Sequence, residues 1–345
     1  KKTLMKQLNI SKKLLIKIKK ITIFGNLKLI MKNRRSFIIG IRSSILSNKE
    51  IKFLNDYKPW GVILFSRNIK TIKQTKKLTD QIKKIFNDNK YPILIDQEGG
   101  RVNRLQNIFN ADPFTGEFFG KLYLKDKKKF YYYYKIFIDQ TSYLLKSIGV
   151  NINTLPVLDL KIKSASNIIG DRSISNDPKI VSKVGDICID FFHRNKIGSI
   201  IKHIPGHGLA KVDSHKLTPI VKKNLNYLMK NDFSAFKNKA SLFAMTAHII
   251  YQNIDKHNTA THSKNIIKLI RRDIKFKNIL MSDDISMKSL KSSIKNNTIR
   301  ALNAGCDLIL HCNGNYKEML DVANNSPLIS KFIIKKTSQF YKIIS

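Results

Sequence analysis

From Arg34 onward the chain alternates between two arrangements of apolar residues. Short runs of Ile, Val and Leu with little polar interruption read as strands buried on both faces. They are SFIIGI (36–41), GVILFS (61–66), PILIDQ (92–97), NINTLPVLDL (151–160), GSIIKHI (198–204), LFAMTAHII (242–250), ILMSDD (279–284) and DLILHC (307–312). Lys-rich segments with an apolar residue every third or fourth position lie between them and read as helices. Ser47 followed by Glu50 predicts a capping box, and Ser263 opens a second helix. A third, drawn from residues 287–305, ends at Gly305, the residue type that closes helices in the left-handed conformation. A closing helix is expected over residues 326–344. The aromatic run from Phe130 to Tyr134 reads as one face of a helix and is assigned no chemistry.

Eight such strands with helices between them predict an α/β fold, a (β/α)8 barrel forming one domain over residues 34–345. A doubly wound open sheet is the alternative, but no GxGxxG follows the first strand. In a barrel of this kind the chemistry sits where strands end. Strand three runs into Asp96, Glu98 and a Gly-Gly turn before Arg101, and strand four reaches Asp159, with Asp171 and Arg172 beyond. Strand five ends in Lys202 and His203, then His207, Asp213 and His215; strand seven ends in Asp283 and Asp284. Charged groups at the ends of buried strands are costly unless paired or used, so their gathering on one rim marks a site. Of the two aspartates, one is expected to face the mouth and the other to cap the next helix. His248 and His311 read as hydrogen-bonded rim histidines and Met287 as core.

Charge adds less than its size suggests. The 64 Lys and Arg against 24 Asp and Glu give a formal net charge of +40. The basic residues are mostly Lys, spread with Ile and Asn along the whole chain, which is the mark of a compositional bias rather than of a nucleic-acid groove. Non-specific attraction to polyanions is expected, a specific nucleic-acid partner is not. Residues 1–33 form a basic extension, read as loosely attached, with Met31 as a candidate start. Lys17, Lys19, Lys20 and Lys28 break every apolar run there, against a signal peptide, although a helix lying on a membrane surface remains an alternative. No stretch is long and apolar enough for a transmembrane segment. Cys188, Cys306 and Cys312 show no paired spacing, so a reducing, cytoplasmic compartment is expected.

Three readings compete for IKHIPGHGLAKVDSHKLTPIV (201–221), where three histidines, an aspartate and two glycines follow an apolar run. His203, His207, Asp213 and His215 would suffice as zinc ligands by number, but their spacing matches no metal signature and Lys202 adds positive charge beside them. A plain polar turn does not explain the density of ionisable groups. The third reading, an acid/base catalyst on a loop, stays open on these residues alone.

The stretches DQEGGRVNRL, GDRS, KHIPGHG with DSH, MTAHI and MSDDISM resemble, in order, the motifs of bacterial β-N-acetylhexosaminidases of glycoside hydrolase family three, over about Arg34 to the C-terminus. The resemblance implies a (β/α)8 barrel and retaining hydrolysis through a covalent glycosyl-enzyme, without metal or cofactor. It implies Asp283 as nucleophile and His215, oriented by Asp213, as acid/base in place of the usual second carboxylic acid. Asp96, Arg104, Arg172, Lys202 and His203 would hold the terminal sugar, with Arg172 and Lys202 keeping nearby carboxylates ionised. Ile204 stands where many relatives have Phe, and Leu209-Ala210-Lys211 replaces a more polar run. The implied function is a monomeric cytoplasmic exo-β-N-acetylglucosaminidase acting on a small sugar substrate, GlcNAc-containing peptidoglycan fragments. A glycoside phosphorylase of the same family and a polyanion-binding protein on an inactive barrel are the alternatives.

Overall fold

A computed structural model of the chain describes residues 31–163, 165–214 and 216–345. Its strands are β1 (Arg35–Gly40), β2 (Pro59–Leu64), β3 (Ile93–Ile95), β4 (Ile152–Asn153), β5 (Gly198–Ile204), β6 (Ile220–Val221), β7 (Phe243–Thr246), β8 (Ile250–Tyr251), β9 (Ile279–Asp284) and β10 (Leu308–His311). All but β6 and β8 close into one parallel barrel in the order β1-β2-β3-β4-β5-β7-β9-β10, the expected (β/α)8 architecture. The outer helices are α1 (Asn48–Tyr57), α2 (Ile72–Ile85), α3 (Gly116–Lys125), α4 (Lys127–Ser147), α5 (Pro178–Arg194), α6 (Leu225–Lys230), α7 (Lys264–Arg272), α8 (Ile294–Ala304), α9 (Tyr316–Asn325) and α10 (Lys331–Ile343).

Alternate residues of each strand point to opposite faces, and the apolar residues divide accordingly. Ile38, Leu94, Ile152, Ile200, Phe243, Met281 and Leu308 fill the barrel. Phe37, Ile39, Val62, Ile93, Ile201, Leu280 and Ile309 pack outward under the helices. The barrel floor is closed by α10, whose Phe340 and Tyr341 join the interior cluster with Met31 and Trp60. Trp60 donates to Thr337 of that helix at 2.9 Å. Arg34 ties the start of the barrel to both ends of the floor, donating to Asp88 at 2.6 Å and to the Tyr341 hydroxyl at 3.2 Å. The rest of the expected N-terminal extension lies outside the described residues.

The capping signals read in sequence are in place. Ser47 and Glu50 form the reciprocal box of α1, Ser263 caps α7, and Gly305 ends α8 at φ 114°. Phe130 and Tyr134 of α4 are buried while Tyr131 to Tyr133 are exposed. Other expectations need correction. The ten-residue fourth run pairs only at β4, since Pro156 has no N–H for a ladder, and Val157 makes a single bridge to Lys202. LFAMTAHII divides: β7 stays in the barrel and β8 pairs with β6 above its rim. The helix expected from residue 287 starts only at Ile294, under a Ser293 cap, and the closing helix is the shorter α10, capped by Ser330.

Two irregularities of register decide what reaches the barrel mouth. Along β5 and β7, Lys202 pairs with Met245 but Ile204 with Thr246, two steps against one. Along β10 and β9, Leu308 pairs with Met281 but Leu310 with Asp284, two steps against three. Each is a bulge, and a bulge lets neighbouring side chains share a face that a regular strand would separate. Lys202 with His203, and Asp283 with Asp284, are the neighbours so placed.

Candidate active site

A cavity of about 190 Å³ opens at the C-terminal end of the barrel. Asp96, Arg104, Arg172, Lys202, His203 and Asp283, six of the eight residues singled out in sequence, line it together with His207, Ser214, Asp284 and Met287. Met287 is thus both buried and a wall of the site. Asp213 is described and its carbonyl accepts from the N–H groups of Lys216 and Leu217, both at 3.0 Å. His215 lies outside the described residues.

The wall between β3, β4 and β5 is a network of charges. Lys202, 1% exposed, places its ammonium against Asp96, against Glu98 at 2.5 Å and against the Thr154 hydroxyl at 2.8 Å. Asp96 also accepts from Thr154 and, at 2.9 Å, from Arg104. Arg172 grips Glu98 with two parallel bonds of 2.7 Å, the fork geometry that makes Arg–carboxylate pairs strong. Burial alone would raise both carboxyl pKa values. The Lys202 ammonium, then the Arg104 guanidinium and the hydrogen bonds from Lys202 and Thr154, instead hold Asp96 well below the usual range. Arg172 and then Lys202 also lower the pKa of Glu98. Both are anions at neutral pH, and Glu98 is locked from two sides.

Beside this network lies Asp159, fully buried, which the sequence placed at the end of strand four without a task. It accepts from His203 Nδ1 at 2.7 Å, from the His203 backbone N–H at 3.1 Å and from the His207 N–H at 2.7 Å. Burial opposes its charge, but His203 and His207 bring its pKa below the ordinary value. The bond at Nδ1 fixes the ring of His203 so that Nε2 faces Asp283 Oδ2 at 4.0 Å. His207 is neutral: burial, then the neighbouring His203, push it down to about 4. Its Nε2 lies 3.1 Å from the Ser214 hydroxyl.

At the end of β9, Asp283 faces the cavity. The expected division of labour with Asp284 is corrected in one respect. Asp284 caps no helix; it accepts from the Cys312 N–H at 3.2 Å and from the N–H and hydroxyl of Ser286 at 3.1 and 2.8 Å, tying the loop after β9 to β10. His248 is satisfied at both nitrogens, by Thr261 at 2.7 Å and by the Asp284 carbonyl at 3.0 Å, and His311 pairs with Glu318 at 2.8 Å. Among the described residues no group of three or more His, Cys, Asp and Glu has a metal-binding arrangement. The three cysteines are free thiols, and no described helix is long and apolar enough to cross a membrane.

The pocket lies at the C-terminal end of a (β/α)8 barrel, where barrel enzymes carry their chemistry, and is walled by paired anions and cations with a further carboxylate and histidines at its edge. Comparison with known proteins gives the family. Residues 26–339 match the glycosyl hydrolase family 3 N terminal domain. The β-hexosaminidase of Haemophilus ducreyi is 32% identical over 289 residues, 80% of each chain, and that of Haemophilus influenzae is 32% identical over 81% of this chain and 79% of its own. Among solved structures, NagZ from Neisseria gonorrhoeae in complex with N-trifluoroacetyl-D-glucosamine superposes with a TM-score of 0.80 at 27% identity, over 89% of this chain and 90% of that one. The chain belongs to glycosyl hydrolase family 3 and groups there with the β-hexosaminidases.

Proposed function

We propose that the protein is a retaining exo-β-N-acetylglucosaminidase that removes terminal GlcNAc from peptidoglycan fragments in the cytoplasm. The observation that carries the reading is the convergence of Asp283 and the Asp96–Lys202–Arg104–Arg172–His203 wall on one cavity, closed at its base by the barrel interior. Such a cavity suits the end of a chain, hence exo action. Asp96 and the cations would hold the ring hydroxyls and the N-acetyl group.

In the first step an Asp283 carboxylate oxygen bonds to the anomeric carbon as the glycosidic C–O bond breaks, and the departing oxygen takes a proton from the His215 imidazolium. In the second, water attacks the anomeric carbon, its proton passes to His215 and the ester to Asp283 breaks. Two inversions give retention. Asp213 orients His215, and a histidine is suited to both roles because its ordinary pKa lies near neutrality. Glu98 is a poor candidate for the acid: two cations hold it ionised, whereas a general acid must carry a proton. The deciding assay offers an aryl β-GlcNAc and a GlcNAc-anhydromuramyl peptide, with and without phosphate. Release of β-configured free GlcNAc from both supports the reading. Phosphate-dependent formation of GlcNAc-1-phosphate would make the enzyme a phosphorylase, and no release from either would overturn the proposal.

A further inference from the structure

The segment Pro205–Leu209 raises a question that the catalytic reading leaves open. It joins the sugar-binding end of β5 to the loop bearing Asp213 and His215, and it has glycines on both sides of His207. Both are too closely surrounded to carry a side chain. A Cβ on Gly206 would lie 2.7 Å from the Asp232 carboxyl carbon, and one on Gly208 would lie 2.8 Å from an Asp232 oxygen and 2.6 Å from the Leu160 carbonyl oxygen. Asp232 comes from the segment after α6, is 1% exposed, and has no salt-bridge partner among the described residues.

Side chains from three other parts of the chain meet this turn, and two of them hold a backbone group of it. The Tyr251 hydroxyl, from β8, donates to the Gly206 carbonyl. Asp159 takes the His207 N–H at 2.7 Å. The N–H groups of Gly208, Leu209 and Leu160 surround the Asp232 carboxyl, although none completes a well-aligned hydrogen bond to either oxygen. Within the turn, the Ala210 N–H returns to the His207 carbonyl at 3.2 Å. The His207 ring then reaches Ser214, the residue between Asp213 and His215. Two buried carboxyls, Asp159 and Asp232, therefore lie against one short turn, and among the described residues the His207–Ser214 hydrogen bond connects that turn to the loop.

We propose that Asp232 is a positioning residue for the acid/base loop: packed against the Gly206–Leu209 turn, it fixes His207, and His207 fixes Ser214 and with it the approach of Asp213 and His215 to the sugar. A side chain at either position would crowd the Asp232 carboxyl; at Gly206 the φ of 151° is a further demand for glycine, and at Gly208 so is the Leu160 carbonyl. Burial, then the charge of Asp159, push the Asp232 pKa up to about 8, so its neutral form dominates at pH 7 and an amide can replace it. The inference rests on the assignment of acid/base work to His215.

The test compares Asp232→Leu, Asp232→Asn and Ser214→Ala with His215→Ala, on an activated aryl β-GlcNAc and on a disaccharide whose departing alcohol needs protonation. General acid help is worth about 10²–10⁴-fold. A misplaced acid forfeits part of it, so Asp232→Leu is expected to lower kcat on the disaccharide about 10-fold more than on the aryl substrate. Asp232→Asn should restore the disaccharide rate at pH 7 to within about threefold. Ser214→Ala, a small change that removes only the last link, should show the same split more weakly, and it carries the test if Asp232→Leu does not fold. If His215→Ala shows the split and neither Asp232→Leu nor Ser214→Ala does, or if both substrates slow alike, Asp232 is only a structural residue and the inference falls. Absence of a split in His215→Ala overturns the acid/base assignment itself.

Discussion

Replacing Lys202 by Met keeps most of the side chain's length and removes one buried charge. That ammonium, 1% exposed, is shared by Asp96, Glu98 and Thr154. Glu98 would retain its two bonds from Arg172, and Asp96 would retain Arg104. Removing one partner of a buried ion pair costs about 3–5 kcal/mol, because the remaining charge stays desolvated. The remaining cations place this variant toward the lower figure. At about 2 °C per kcal/mol for a chain of this size, the melting temperature should fall by about 6 °C at neutral pH.

The pH dependence separates this account from lost packing. Lys202 helps to hold both carboxyls below their ordinary values, so its contribution is fully present above the unfolded carboxylate pKa and is lost as pH falls through the lower folded values. The stability gap between wild type and Lys202→Met should therefore be widest at pH 6–8 and narrow steadily below about pH 4. The measurement is the urea midpoint of both proteins at pH 3.5, 5 and 7, with the slope against denaturant checked for equality. The variant also carries one positive charge fewer in a chain of net charge +40, a gain that grows as the carboxylates protonate, so the comparison is made at high salt, which screens this general repulsion far more than the buried pairs. An equal gap at pH 3.5 and 7 would refute the electrostatic argument and leave packing as the cause. In activity, loss of the ammonium should raise KM for the aryl substrate, since Asp96 would no longer be fixed for the ring hydroxyls.

Asp283→Ala should abolish turnover with little change in melting temperature, whereas Asp284→Ala should mainly loosen the loops after β9 and β10; full activity in Asp283→Ala would move the nucleophile elsewhere. Activity should withstand EDTA, and a loss restored by zinc would reopen the metal reading of His203 and His207. Removal of residues 1–30 with Met31 retained should leave rate and melting temperature nearly unchanged, and a truncated chain that fails to fold would show that the segment belongs to the barrel. Asp159→Asn should lower kcat/KM and melting temperature together, because His203 and His207 lose the charge that both their N–H groups face; an unchanged rate would remove Asp159 from the site's support.

What could be read from sequence depended on whether a signal was local. The eight apolar runs were visible because a barrel strand is buried on both sides, and the caps at Ser47, Ser263 and Gly305 because capping is settled within four residues. Asp96, Lys202, His203 and Asp283 stood out as charges directly after apolar runs. The bulges that bring Lys202 beside His203 and Asp283 beside Asp284 were invisible, since register belongs to two strands and not to one. The same limit hid the partners. Glu98 read as one of the rim charges, but nothing in the sequence showed that Arg172, 74 positions away, closes on it. Asp232 lies in a run of Lys, Asn and Asp that reads as solvated turn, and nothing near it in sequence marks it as buried. Its only trace was indirect: two glycines around His207, whose need for space pointed to a neighbour that the chain supplies about 25 residues later. The space these glycines leave is in part a statement about a distant residue. In this chain it points to the carboxyl that steadies the loop on which acid/base catalysis would depend.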